Sequence, residues 1–117
     1  MSSEVRETEG VVRFSPEHAT VYFSGALRLA NVKAYDNVAK LLHDAAAVVG
    51  GEPLVLDFTE LKFLNSSGIT ALSLFVVGAR KAGTPRLKLV GSKATAWQQK
   101  SLANFQMLWK EMPLVIE

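Results

Sequence analysis

Apolar residues recur along the chain at two spacings, and Gly and Pro separate the segments that carry them. Two β-branched runs, VVRFS and ATVYFSG, lie on either side of a short turn at Pro16 and Glu17. Two such runs joined by a tight polar turn are typical of a β-hairpin. We therefore expect antiparallel strands near residues 11–15 and 20–24, and the pattern predicts no other antiparallel pair.

Three later segments have apolar residues at helical spacing. The first, KAYDNVAKLLHDAAAVVGG, ends at a glycine pair, the second opens at Asn65 and ends in ARKAG, and the third runs from about Ala94 to Met112. Basic residues and a following glycine suit the C-terminus of a helix. The stripes expected to be buried in the second and third helices are Ile69, Leu72, Phe75 or Val76 and Ala79, and Trp97, Ser101, Phe105, Leu108 and Met112.

Three more strands are expected between and after these helices, near residues 54–58, 86–90 and 114–116. The run PLVLDF is almost continuously apolar, which is typical of a central strand buried on both faces. We therefore expect Val55 and Leu56 to be buried. The resulting order is β-β-α-β-α-β-α-β, and strands joined through helices form right-handed parallel crossovers. The pattern predicts an α/β fold, a mixed β-sheet with helices packed mainly on one side.

Composition is that of an ordinary globular chain, with 49% hydrophobic and 21% charged residues over 117 positions. We expect one domain over residues 1–117, with a flexible polar N-terminus at 1–9. The net charge of +2 does not favour nucleic-acid binding. The N-terminus has no apolar signal region and the run ITALSLFVVGA is too short to cross a bilayer. We expect a cytoplasmic protein without membrane insertion.

Candidate catalytic and cofactor chemistry is sparse. The chain has no cysteine, and His18 and His43 alone fall short of the three or four ligands of a zinc site. A hydrolase reading of Ser66 or Ser67 lacks the G-x-S-x-G elbow, and GSKAT lacks the spacing of a phosphate-binding loop. We therefore expect no metal, no cofactor and no enzymatic activity.

Aromatic residues of the third helix suggest a stacking platform as one reading. Trp97, Phe105 and Trp109 fall near one helical face, where aromatic residues most often pack against a sheet. We expect core packing for them. Trp109 is the aromatic residue that we expect to be most exposed.

The triplet Asn65-Ser66-Ser67 stands between a predicted strand and a predicted helix, and is followed by Gly68. An Asn or Ser side chain at this place caps a helix, because its oxygen accepts a hydrogen bond from an otherwise unpaired amide. A serine at a helix N-terminus is also well placed to carry a phosphate, since the free amides and the helix dipole stabilise the anion. We expect Asn65 or Ser66 to cap a helix that begins near Ser67, with the Ser66 hydroxyl accessible.

The segment LVLDFTELKFLNSSGITALSLFVVGARKAG resembles the signature of STAS domains, specifically the bacterial anti-sigma factor antagonists. FSGAL and LKLVG match the ends of two further strands of that fold, so the resemblance covers nearly the whole chain. It implies a cytoplasmic regulator that binds a serine kinase or anti-sigma factor and is released when phosphorylated. A phosphatase would restore the bound form.

Carried over position by position, the resemblance makes Ser66 the phosphorylated residue, with Ser67 less favoured, and matches Asp57 to an acidic strand end. Asn65, Ser66, Ser67, Gly68 and Arg28 would then contact the partner. Two positions depart from the family pattern. Asn65 replaces the usual Asp, and GALR, ending at Arg28, replaces the usual Gly-Glu-Leu-Asp. Both changes remove negative charge from the end of the domain where a partner is expected to dock.

Two other functions stay open at this point. The first is a STAS-type accessory subunit of a membrane transport system that is not phosphorylated. The second is a nucleotide-binding or hydrolytic domain, for which the chain has no phosphate-loop motif. The sequence leaves the oligomeric state open.

Overall fold

A six-stranded mixed sheet forms the centre of the computed structural model, which describes residues 3–117. The strands are β1 (Glu4–Arg6), β2 (Gly10–Ser15), β3 (Thr20–Leu27), β4 (Leu54–Leu64), β5 (Leu87–Gly91) and β6 (Leu114–Ile116). They lie side by side in chain order. β1, β2 and β3 pair antiparallel, and β3, β4, β5 and β6 pair parallel.

The parallel strands are connected by the helices α1 (Asp36–Val49), α2 (Ser66–Ala82) and α3 (Ala96–Leu108), and short 3-10 turns occupy Pro16–His18 and Val32–Tyr35. Phe58 of β4 stacks on Phe23 of β3 and on Phe105 of α3. Residues of α1 and α2 close around the same Phe23. All three helices therefore cover one face of the sheet. The predicted fold class and helix placement are confirmed.

The opposite face of the sheet is not covered by any helix among residues 3–117. Along β4, Leu54, Leu56 and Phe58 are buried, whereas Val55 and Asp57 are only half-buried. The prediction for Leu56 is confirmed, and that for Val55 is wrong. An apolar run does not by itself reveal that one of its faces lacks a covering layer.

β4 continues six residues beyond its predicted end. Its pairing with β3 shifts between Tyr22 and Ser24 and again between Gly25 and Ala26, and each shift inserts one extra residue into β4. The buried positions of β4 therefore change from every second to every third residue, and are Leu54, Leu56, Phe58, Leu61 and Leu64. Bulges of this kind break the alternation that identifies a strand in a sequence.

The N-terminal segment differs from the flexible terminus expected at residues 1–9. Glu4–Arg6 forms β1, which pairs with β2 in a second antiparallel ladder. Val5 packs against the core, which holds this short strand at the sheet edge. Residues 1 and 2 lie outside the described residues.

The third helix is shorter than predicted, and in its first half the buried residues lie one position later than expected, whereas Phe105 and Met112 are buried as predicted. Its buried residues are Gln98, Leu102 and Phe105 rather than a stripe through Trp97 and Ser101. Helical spacing alone placed the apolar Trp97 on the buried stripe and did not identify the polar Gln98 as buried. Trp97 and Trp109 are half-buried against the core, so core packing is confirmed for these aromatic residues. Among residues 3–117 the aromatic side chain that is exposed is instead that of Phe63, at 39%.

Candidate functional site

The triplet Asn65-Ser66-Ser67 lies at the C-terminal ends of the neighbouring parallel strands β3 and β4. Leu27 and Leu64 are paired in register, and the Asn65 backbone N–H donates to the Leu27 carbonyl at 3.1 Å. α2 begins at the next residue, Ser66. Only Asn65 separates β4 from α2, so no loop intervenes. The hydrogen bond from Asn65 to Leu27 fixes the start of the helix relative to the sheet.

Asn65 is the residue that caps α2. Its backbone is extended, with φ −77° and ψ 173°, and its Oδ1 accepts from the Gly68 backbone N–H at 3.0 Å. The prediction that Asn65 or Ser66 caps the helix is confirmed, with Asn65 in that role and the helix starting one residue earlier than expected.

The Asn65 side chain also joins three separate parts of the chain. Its Oδ1 accepts from the Tyr35 hydroxyl at 2.6 Å, and its Nδ2 donates to the Leu29 carbonyl at 2.8 Å. An aspartate could accept the first bond but could not donate the second. An asparagine at position 65 can therefore do what an aspartate could not: its amide N–H group binds the segment after β3, while its oxygen binds the start of α2. Sequence reasoning missed Tyr35 as part of this arrangement.

Gly68 is required by the close approach of Tyr35. A Cβ added at Gly68 would lie 2.8 Å from the Tyr35 hydroxyl oxygen and 2.3 Å from Leu64 Cδ1. The Tyr35 hydroxyl is fixed by its bonds to Asn65 and to the Leu29 amide. Gly68 is buried, and the absence of a side chain makes room for this contact.

Burial raises the pKa of the Tyr35 hydroxyl above its usual value of about 10, the Leu29 hydrogen bond lowers it by less, and Glu7 raises it further. The folded protein thus holds this proton more tightly than the unfolded chain. The stability that the protonated hydroxyl contributes is complete below about pH 10 and is lost as the pH rises through the folded-state pKa.

We expect the difference in unfolding free energy between the wild type and Tyr35→Phe to be constant up to about pH 9 and to shrink above about pH 10. Urea unfolding of both proteins across this range measures the difference directly. The comparison cancels the titration of the other tyrosine and the lysines. A difference that stays constant to about pH 11 would show that Tyr35 does not carry the pH dependence.

Ser66 is exposed and Ser67 is half-buried. The first N–H groups of a helix have no partner within the helix. That of Gly68 is bound by Asn65, which leaves those of Ser66 and Ser67 to water or an anion. The predicted accessibility of Ser66 is confirmed, and of the two serines it is the more exposed.

The outer face of α2 that continues from Ser66 is uncharged. Its exposed residues follow at intervals of four: Ser66, Thr70, Leu74 and Gly78. Leu74 is 62% exposed. The first charged residue of the helix is Arg80. Surface helices usually carry charges on their solvent side, so an uncharged strip of this length beside Ser66 suits a protein partner.

Arg28 lies at the end of the sheet where the sequence placed it, whereas Asp57 does not lie at a strand end. Arg28 follows Leu27 at this end of the sheet, but its guanidinium lies over the Phe63 ring, 4.7 Å from the centroid, and forms an ion pair with Glu9. Asp57 lies in the middle of β4, because the strand continues to Leu64, and so it is not at a strand end.

The two histidines contact residues other than Ser66 and Ser67. His18 Nδ1 lies 3.1 Å from the Ser15 hydroxyl, and the His43 ring contacts Phe75 edge-on. Within residues 3–117 no hydrogen bond joins a histidine to Ser66 or Ser67. None of the helices described has both the length and the apolar character needed to traverse a lipid bilayer.

Replacing Asn65 by alanine is expected to lower the free energy of unfolding by about 1–3 kcal/mol, because the helix loses its cap and the Leu29 carbonyl and Tyr35 hydroxyl lose a partner. Ser66→Ala is the matched control and is expected to change it by less than about 0.5 kcal/mol, since Ser66 is exposed and caps nothing. Chemical unfolding of both variants measures the contrast. Equal losses would mean that Asn65 does not hold the site together.

Solved structures with the same fold come from Pseudomonas aeruginosa. The structure of SiaC has a TM-score of 0.72 and 21% sequence identity, covering 100% of this chain and 98% of that chain. For apo-SiaC the values are 0.72 and 18%, covering 99% of each chain. A chain in the crystal structure of the diguanylate cyclase SiaD in complex with its activator SiaC gives 0.72 and 19%, covering 98% of each chain.

This similarity extends over the whole chain and shows a common fold, the mixed α/β arrangement expected of a STAS-like domain. No protein-family model matches the sequence, and no curated protein is significantly similar to it.

Proposed function

We propose that this protein is a non-enzymatic regulator that binds a signalling partner through the start of α2 and is released when Ser66 is phosphorylated. The observation that carries the proposal is the position of Ser66. It is exposed, it is the first residue of a capped helix, and it opens the uncharged outer face of α2. A phosphate there would alter the docking surface without disturbing the core.

The residues around Ser66 have distinct roles in this proposal. Asn65 and Gly68 hold the start of α2 rigidly against Tyr35. Ser66 and Ser67 then meet the partner at a defined position, and Ser66 is the phosphate acceptor. Arg28 lies at the same end of the sheet and is engaged by Phe63 and Glu9, so it flanks the docking surface.

The partner proposed from the resemblance is a serine kinase or anti-sigma factor, with a phosphatase that returns the protein to its binding form. The structural similarity favours a second class of partner. SiaC is the activator of the diguanylate cyclase SiaD, and its fold matches this chain from end to end. A diguanylate cyclase is therefore the second candidate, and it would be bound by the same surface.

The test is affinity capture from extracts of the source cells with the wild type, Ser66→Ala, Ser66→Asp and Asn104→Asp as bait. Asn104 is exposed in the second half of α3, so its replacement adds the same charge away from Ser66. We expect one signalling protein with the wild type, Ser66→Ala and Asn104→Asp, and its loss with Ser66→Asp.

Identification of the captured protein decides among the candidates. A serine kinase or anti-sigma factor supports the first candidate and a diguanylate cyclase the second. A membrane transporter retained equally by Ser66→Asp would replace the proposal with the accessory-subunit function.

A further inference from the structure

We propose that the uncovered face of the sheet is a self-complementary surface through which two copies of this chain form a weak dimer. This face lies opposite the helices and therefore opposite α2 and its docking surface. At its centre Arg13, Tyr22 and Asp57 stand in register across β2, β3 and β4, and Glu4 of β1 is in register with Arg13.

Of the charged residues in this row, Glu4 forms an ion pair with Arg6, whereas Arg13 and Asp57 have no ionic partner among residues 3–117. The Arg13 guanidinium lies over the Tyr22 ring, 4.7 Å from its centroid. Asp57 Oδ1 accepts from the Thr59 backbone N–H at 2.9 Å and from the Thr59 hydroxyl at 2.7 Å. A cation and an anion thus flank the central tyrosine, and both are available to a second molecule.

A second copy satisfies both charges at once. In a face-to-face dimer whose two-fold axis runs parallel to β3 and passes beside Tyr22, β2 of each copy lies over β4 of the other. Arg13 then meets Asp57 of the other copy, and the symmetry repeats the pair. The two Tyr22 rings meet at the axis. Sheets that pack face to face keep their strands within about 30° of one another, which preserves this register near the centre.

Apolar side chains on the same face supply the remaining contact. Val115 and Phe63 are each 39% exposed, and Val11, Val55 and Val90 are half-buried. With strands about 4.8 Å apart and about 3.3 Å per residue, the face offers roughly 500 Å² per copy. Roughly 1,000 Å² in total is at the lower limit for a specific interface, so the dimer should dissociate on dilution.

Sedimentation equilibrium of the full chain over a wide concentration range tests the proposal. The wild type should show a monomer–dimer equilibrium. Arg13→Glu and Asp57→Lys should each raise the dimer dissociation constant by about tenfold or more. In either variant residues 13 and 57 carry the same charge, and the two-fold symmetry places this repulsive pair in the interface twice. The double variant Arg13→Glu/Asp57→Lys reverses both charges and should regain the dimer.

Controls separate charge pairing from damage to the fold. Lys81→Glu makes the same kind of charge reversal on an exposed residue in the helical layer and should leave the equilibrium unchanged. Asp57→Asn keeps an oxygen for the Thr59 hydrogen bonds and should weaken the dimer while leaving the melting temperature close to that of the wild type. A monomeric wild type, or a double variant no more dimeric than the single ones, would overturn the proposal. Partner capture through Ser66 is unaffected by either result.

Discussion

Phosphorylation of Ser66 is expected to weaken partner binding by about a hundredfold or more. A phosphoserine adds a charge of about −1.5 to −2 at pH 7. Ser66 lies at one end of an uncharged strip, so a partner that matches this strip has no charge with which to compensate a buried dianion. The expected loss is the cost of removing that anion from water without a matching arginine.

The domain itself should tolerate the phosphate. The unpaired amides of Ser66 and Ser67 and the positive end of the α2 dipole favour an anion at this position, so the melting temperature should stay constant or rise. Asn65 is neutral and does not repel the phosphate as an aspartate would.

Isothermal titration of the captured partner with unmodified and enzymatically phosphorylated protein, paired with thermal melts, measures both effects. Ser66→Ala carried through the same kinase treatment is the control, and it should bind as the unmodified protein does. If the phosphorylated protein binds as tightly as Ser66→Ala, Ser66 is not a switch and the triplet serves only as a helix cap.

Replacing Gln98 by leucine is expected to cost about 2–6 kcal/mol of unfolding free energy. Gln98 is fully buried, and its amide bonds three backbone groups. Nε2 donates to the carbonyls of Phe58 and Leu61 in the irregular part of β4, and Oε1 accepts from the Ser92 amide after β5. Leucine has a similar volume but bonds to none of these groups. The Leu61 carbonyl keeps its bond from the Trp97 indole N–H at 3.2 Å, so two groups lose their partner, at about 1–3 kcal/mol each.

Gln99→Leu is the matched control, because the neighbouring glutamine is exposed in the same helix. Its effect should be within about 0.5 kcal/mol of zero. Equilibrium unfolding in urea gives both values. A Gln98→Leu protein as stable as Gln99→Leu would show that the bulged region of β4 does not depend on this side chain.

The candidate site was largely predictable where its chemistry is local. A cap, an accessible serine and a small residue before an apolar run are all visible within four consecutive positions, Asn65 to Gly68. The hydrogen bonds by which Asn65 also joins Tyr35 and Leu29 could not be predicted from the sequence. Its bonds to Tyr35 and Leu29 cross 30 and 36 positions of the chain, and no local pattern signals a hydrogen bond over that distance.

The uncovered sheet face was hidden for a related reason. A run such as LVLDF has the same composition whether a second layer covers its outer face or not. Only the placement of all three helices on one side leaves Val55 and Asp57 partly exposed, with Asp57 in register beside Tyr22.

By itself the sequence determined the order of the three helices and of the strands β2 to β6, the fold class and, to within one residue, the start of α2. These follow from hydrophobic spacing and capping chemistry, which act over a few neighbouring residues. Tertiary structure alone decided the length of β4, the pairing of Glu4–Arg6 with β2 and the burial of Gln98. Each of these depends on backbone groups that must find partners elsewhere in the chain. Gln98 is buried because its amide group donates to the carbonyls of Phe58 and Leu61, 40 and 37 positions away in the chain.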